Sequence, residues 1–282
     1  MYQFPIGVIL ESFRLPIEQA VPAAAALGVK GLQVYARHGK MCHIEMDAAG
    51  RRDFLHLVKD SGLVFSAICG DLGSGFGNPE MNPELIEESR RIMEIALEME
   101  TNIVTTHIGV VPSDPNHPRY KIMQDACGTL AAYADSLGAH FAIETGPEPA
   151  KVLKGFLDGL HSRGVAVNLD PANLVMVSGD NPVEAAHTLK DYIVHTHAKD
   201  GRMLYELDPE IVYGVRPKSP ELVESPSFIE LPLGEGNVPF KEYLAALEEV
   251  GYRGFLTIER EVGENPGRDI AAAVDFLKNI IG

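Results

Sequence analysis

The sequence predicts a single (β/α)8 barrel of the TIM type, and three observations carry that prediction. Eight short Val/Ile/Leu-rich runs begin near Ile6, Gly31, Leu63, Asn102, His140, Val165, Ile193 and Gly254, and they alternate with stretches whose apolar residues recur at helical spacing. Such alternation suits parallel strands joined by crossover helices. The chain of 282 residues exceeds a usual domain, but barrels of this kind run that long as one unit and no composition shift divides it, so residues 1–282 read as one domain. An open doubly wound sheet would carry a glycine fingerprint in its first βα turn, and none follows the first run.

Taken in order, MYQFPIGVIL lacks a basic segment and reads as a first strand rather than a signal peptide. Glycines at Leu27-Gly28, Ser61-Gly62, Leu137-Gly138 and Val250-Gly251 mark helix ends just before strands. After the third run, GDLGSGFGNPE has its glycines spaced G-x-G-x-G with no immediate helix, which reads as a βα loop rather than an anion cradle. The next helix is expected from Pro83 to Glu100, with Asn82 as N-cap, Pro83 at the first helical position, and Glu84, Glu87 and Glu88 near the positive dipole end. A Pro-rich insertion at about 201–236 follows the seventh strand, holds Pro209, Pro217, Pro220, Pro226 and Pro232, and is expected to rise from the catalytic face, either as a semi-rigid lid over the barrel mouth or as surface decoration.

Composition narrows the function class. Apolar residues make up 45% and charged residues 23%, values of a folded globular protein rather than a disordered one. Lys plus Arg number 24 against 40 Asp plus Glu, and the formal charge of -16 repels a phosphate backbone, so nucleic acid is not expected as a partner. Cys42, Cys69 and Cys127 form neither a disulfide framework nor a C-x-x-C motif, and no run is long enough to span a bilayer. A cytoplasmic protein without a membrane partner is expected; self-association is left open.

Four runs in the second half end in side chains that bind metals: Glu144 in HFAIETG, Asp170 in VAVNLDP, His197 in IVHTHAKD and Glu259 in GFLTIERE. Side chains alternate along a strand, so Ala142 shares a face with Glu144, Asn168 with Asp170, His195 with His197 and Thr257 with Glu259. In a barrel the strand ends converge on one mouth, which gathers three carboxylates and an imidazole. Buried carboxylates require a partner, and two readings supply one: a polar network with His195, Lys199 or Arg260, or a bound cation. For the cation, an oxygen-rich donor set favours Mn²⁺, Mg²⁺, Fe²⁺ or Co²⁺ over structural zinc, with Zn²⁺ still admitted.

The AIETG, NLDPAN, HTHAKD, LPLGEGNVPF and LTIERE segments resemble the xylose isomerase-like barrels, over essentially the whole chain. The resemblance implies one divalent cation held by Glu144, Asp170, His197 and Glu259. It also implies an isomerase or epimerase acting on a sugar, sugar phosphate or related polyol ketone by proton transfer through an enediolate. Glu144 and Glu259 are then the acid/base pair, and the partner is a small carbohydrate. The alternative on the same site is an inosose-type dehydratase; a non-catalytic sugar-binding module stands outside both. Apurinic endonucleases share the superfamily but need further ligands. Here Asn173 stands where their strand-six histidine would, and Leu231-Pro232-Leu233 offers no His or Asp pair. Candidate substrate-binding residues are His107, Asn173, Lys199, Glu11 and Tyr35. His107 reads either as a substrate partner or as a core histidine, and Lys199 either polarises a substrate oxygen or neutralises an acid in the mouth.

Overall fold

Parallel strands buried on both faces need helices outside and side chains inside, and the chain satisfies both by closing on itself. The computed structural model describes residues 2–37, 46–218 and 225–282. In chain order these form β1 (Ile6–Ile9), a 3₁₀ turn (Leu10–Phe13), α1 (Ile17–Ala26), β2 (Gly31–Tyr35), α2 (Ala48–Asp60), β3 (Val64–Cys69) and α3 (Asn82–Glu98). There follow β4 (Ile103–Thr106), α4 (Pro118–Leu137), β5 (His140–Glu144), α5 (Ala150–Asp158), β6 (Val165–Leu169), a helical turn α6 (Pro171–Asn173) running into a π segment (Leu174–Ser178), and α7 (Pro182–Thr188). The chain finishes with β7 (Ile193–Ala198), β8 (Asp200–Met203), α8 (Pro209–Val212), β9 (Phe228–Leu231), α9 (Phe240–Glu249), β10 (Leu256–Ile258) and α10 (Pro266–Ile281).

Eight strands close in the order β1-β10-β7-β6-β5-β4-β3-β2, all parallel, with the first and last joined through Ile6↔Leu256 and Val8↔Ile258. This is the predicted (β/α)8 barrel, with one strand for each of the eight runs. In VAVNL of β6, Val165, Val167 and Leu169 join the apolar cluster shared with the helices, while Asn168 belongs to the polar interior. Gln33, Asn168, His195 and Thr257 are at most 1% exposed. Polar groups this deep must bond to each other, and they do, as described below.

One local expectation changes. Asn82 does not cap α3: it is the helix's first residue, and its amide turns back to donate to the Phe76 carbonyl at 3.1 Å, securing the Gly-rich loop instead. The Pro-rich insertion is built on its own hairpin, in which β8 and β9 pair antiparallel from Asp200↔Leu231 to Met203↔Phe228 with α8 between them. The buried Asp200 carboxylate fastens its base by accepting the backbone N–H groups of Gly201, Gly234, Gly236 and Val238 at 2.8–3.1 Å. Glu210 of α8 pairs with Arg119 of α4 and, at 2.8 Å, with Arg216, so the arm is tied down at its far side as well. Cys42 and Pro220 lie outside the described residues; Cys69 and Cys127 are free thiols, both buried.

Candidate metal centre and substrate chamber

Strand ends place the four candidate ligands. Glu144 is the last residue of β5, His197 lies near the end of β7, and Asp170 and Glu259 each follow directly after a strand, β6 and β10. One ligand-type atom from each lies within 4.8 Å of all the others, and all four side chains are buried. His197 Nδ1 is the hub, 3.0 Å from Glu259 Oε2, 3.3 Å from Asp170 Oδ2 and 3.7 Å from Glu144 Oε1.

Each ligand is oriented by a second contact. Asp170 uses Oδ1 to cap the turn α6, accepting the Asn173 N–H at 2.8 Å, which leaves Oδ2 to face His197. Glu144 accepts the Asn173 amide on Oε1 and the Asn168 amide on Oε2, each at 2.9 Å. His197 Nε2 lies 3.1 Å from Gln33 Oε1; as a donor there, it turns the Nδ1 lone pair toward the carboxylates. Asn168 is held in turn by His195 Nδ1 at 2.8 Å, and His195 Nε2 meets the Thr257 hydroxyl at 2.9 Å. These contacts make His195 a neutral Nδ1–H tautomer. Burial, then the neighbouring His197, pushes its pKa well below the ordinary value.

The electrostatics are those of a site with excess negative charge. Two like charges about 4 Å apart repel by about 4 kcal/mol at an effective dielectric near 20. Three carboxylates share this pocket. Burial raises the Glu144 carboxyl above its ordinary value, and His107 and His197 only partly offset it. Burial opposes charge on Glu259 too, but Lys199 and then His197 outweigh it and hold that carboxyl below the usual range. Lys199 Nζ lies 3.3 Å from Glu259 and 2.6 Å from Glu261, so it neutralises acids in the mouth, the second of its two readings, while still lining the chamber. Glu259 Oε2 nevertheless accepts no aligned hydrogen bond, which fits a carboxylate built to face a cation. Three carboxylate oxygens and one imidazole nitrogen suit a single hard or borderline divalent ion.

Over this cluster lies a chamber of about 270 Å³. His107, Asn173, Lys199 and Tyr35 all line it, and His107 Nε2 sits 3.4 Å from Glu144 Oε1. Glu11 does not. It accepts the Tyr35 N–H at 3.1 Å and lines a second cavity of about 210 Å³ that shares Tyr35, Glu259 and Glu261 with the chamber, and there burial pushes its carboxyl up to about 7. The insertion supplies one wall of the chamber through Val212, Tyr213, Phe228 and Glu230. Gly146, at φ 145°, makes room for this wall, since a Cβ there would stand 2.5 Å from Asn173 Cβ and 2.9 Å from the Tyr213 hydroxyl.

Sequence reasoning missed Gln33, Glu261 and Tyr213. Gln33 carried a signal, a polar residue in the middle of GLQVY, and Glu261 shares parity with Glu259 in the ERE run. Tyr213 carried none, because its place depends on how the insertion folds back.

A family model described as xylose isomerase-like TIM barrel matches residues 21–280. The chain belongs to this family. Among solved structures, a xylose isomerase domain protein from Planctomyces limnophilus superposes with a TM-score of 0.79 at 26% identity, covering 99% of this chain and 97% of that one. The probable 3-DHS dehydratase AsbF of Bacillus anthracis gives 0.76 at 18% identity, with 98% and 99% covered. D-psicose 3-epimerase from Clostridium cellulolyticum H10 gives 0.72 at 13% identity, with 99% of each chain covered. At such identities the last two establish the barrel alone. Among the described residues of this family member, no helix is long and apolar enough to cross a membrane.

Proposed function

We propose that this protein is a divalent-metal-dependent isomerase or epimerase acting on a carbohydrate that bears a carbonyl. The observation that carries the reading is the hub at His197 Nδ1, where three carboxylates lie within 3.0–3.7 Å of one nitrogen in a buried pocket. Glu144, Asp170, His197 and Glu259 would hold the ion. When bound, such an ion draws electrons from the oxygens of a hydroxy-ketone and makes the adjacent C–H acidic.

The chain's own groups then handle the proton. Glu144 and Glu259 project into the chamber from β5 and from the end of β10, so the one in its carboxylate form takes the proton at the carbon beside the carbonyl and the other, in its carboxylic acid form, gives a proton back. Protonation on the opposite face of that carbon inverts its configuration; protonation of the former carbonyl carbon, with the hydroxyl proton passing to the former carbonyl oxygen, moves the carbonyl. His107 and Asn173, both in contact with Glu144 and both lining the chamber, are placed to bind substrate hydroxyls. The wall of Val212, Tyr213 and Phe228 reduces access of bulk water to the reacting carbon. The xylose isomerase-like family match over residues 21–280 supports a reading of this kind.

Elemental analysis of the purified protein tests the site: one divalent cation per chain is expected, lost in Asp170→Asn and in His197→Ala while the far-ultraviolet circular dichroism spectrum is retained. Unchanged metal in both variants would remove the site as drawn. Deuterium uptake from heavy water at the α-carbon of ketoses and inososes tests the reaction. Loss of water with an enone absorbance would assign a lyase instead, and binding without exchange would leave a sugar-binding module.

A further inference from the structure

We propose that the substrate is a carbohydrate carrying an uncharged, partly apolar substituent, with the reacting sugar in the chamber and the substituent in a second cleft beside it. This rests on the sugar reading above. The chamber's volume of about 270 Å³ falls below the ~300–1,000 Å³ common for small-molecule sites, so a group much larger than one sugar must extend elsewhere. A cleft of about 550 Å³ adjoins it, formed by the Gly-rich loop between β3 and α3, the loop after β4, and the turn after α8. Asp71, His107 and Tyr213 line both spaces, so the two meet at the His107 and Tyr213 rings, whose centroids are 5.7 Å apart.

The cleft's chemistry names the substituent. Met81 and Val215 remain 43% and 40% exposed, and both line this cleft. Apolar side chains lining a cleft offer contact to an apolar part of a ligand. Glycines 73, 75, 77, 109 and 214 also line it, beside Ser74, Asn78 and the ion-paired Arg119, and backbone carbonyls and amides at such positions read hydroxyls or ether oxygens without adding charge. A phosphate would find no unpaired Lys or Arg lining either space. Arg119 is paired with Glu210, Lys199 with Glu259 and Glu261, and Arg260 with Glu230 and Asp269. Asp71 adds a carboxylate at the junction, and the chain carries a net charge of -16. A neutral aryl or alkyl glycoside matches these features, and a sugar phosphate does not.

The test uses the metal-loaded protein with four probes: a ring-ketone hexose, its methyl glycoside, its phenyl glycoside and its phosphate ester. Calorimetry should show the phenyl glycoside binding at least about 10-fold more tightly than the methyl glycoside, the gain expected for burying most of one ring, and the phosphate ester no more tightly than the free sugar. Met81→Asp and Val215→Asp, neither of which touches the four-residue cluster, should abolish that advantage while leaving metal content and methyl glycoside affinity unchanged. Equal affinity for the two glycosides, a preference for the phosphate ester, or no binding of any probe overturns the inference. A phenyl advantage lost in both variants but without deuterium exchange would keep the cleft and remove the catalytic reading. Exchange on the free sugar without a phenyl advantage would do the reverse.

Discussion

Asn168 shows how much of the site depends on residues that touch no substrate. Its amide bridges His195 on one side and Glu144 on the other, at 2.8 and 2.9 Å, and both partners are buried. Removing it leaves the Glu144 Oε2 and the His195 Nδ1–H without partners, and outer hydrogen bonds of this type are typically worth about 10–100-fold in affinity or activity. Asn168→Ala should therefore lower metal affinity or kcat by about that factor while the barrel stays folded. A variant with unaltered metal binding and turnover would show that Glu144 is oriented by Asn173 alone. Lys199 illustrates the opposite limit of reading residues singly: the HTHAKD segment placed it in the mouth, but only its contacts with Glu259 and Glu261 show which acids it neutralises.

Among elements, the β8–β9 arm decides the shape of the chamber. Its base is held by four backbone N–H groups converging on the Asp200 carboxylate, and its far side by the Arg119, Glu210 and Arg216 ion pairs. Asp200→Ala strands those donors in a buried turn, and a loss of roughly 2–4 kcal/mol of stability is expected from charge-assisted bonds of this number. Urea unfolding measures it; a shift of the midpoint within error would mean that water replaces the carboxylate. Replacing residues 205–226 with a short Gly/Ser linker spares β9 and Glu230 but removes Val212 and Tyr213 from the chamber wall. That change should leave metal content intact, raise KM and lower kcat together. Wild-type turnover in the linker variant would reduce the arm to decoration.

For the molecule as a whole, the buried acids outside the cluster set a pH dependence. Glu148, 4% exposed, accepts the Val111 N–H at 3.0 Å, and burial pushes its carboxyl from 4.5 up to about 8, with that single bond opposing. Its folded-state pKa lies above the unfolded value, so the native state binds more protons between those two pH values and stability falls as pH rises through the window. Glu11, raised to about 7, acts in the same direction. Glu148→Gln keeps the acceptor for Val111 and removes the titration. Its thermal midpoint should exceed wild type above pH 8, by about 1–3 kcal/mol in stability, with the difference shrinking toward pH 5. Parallel pH profiles for the two proteins would place the cause elsewhere.

How much of this was legible in the chain follows from where each signal is stored. Strands of a parallel barrel are buried on both faces, so they read as continuous apolar runs, and polar residues at their ends stand out against them. Glu144, Asp170, His197 and Glu259 were visible for that reason, and barrel closure then brings their ligand atoms within 4.8 Å. Helix stops were visible at Gly28, Gly62, Gly138 and Gly251, each with positive φ, because cap chemistry is local. The cap assigned to Asn82 was not, since a loop carbonyl six residues earlier competes for its amide. Tyr213 in the chamber wall, Glu11 displaced into a side cavity, and the partners of Lys199 depend on contacts between segments far apart in sequence. Local pattern specified the barrel and the chemistry at its strand ends, whereas long-range packing alone decided which side chains enclose that chemistry and what space remains for a substrate.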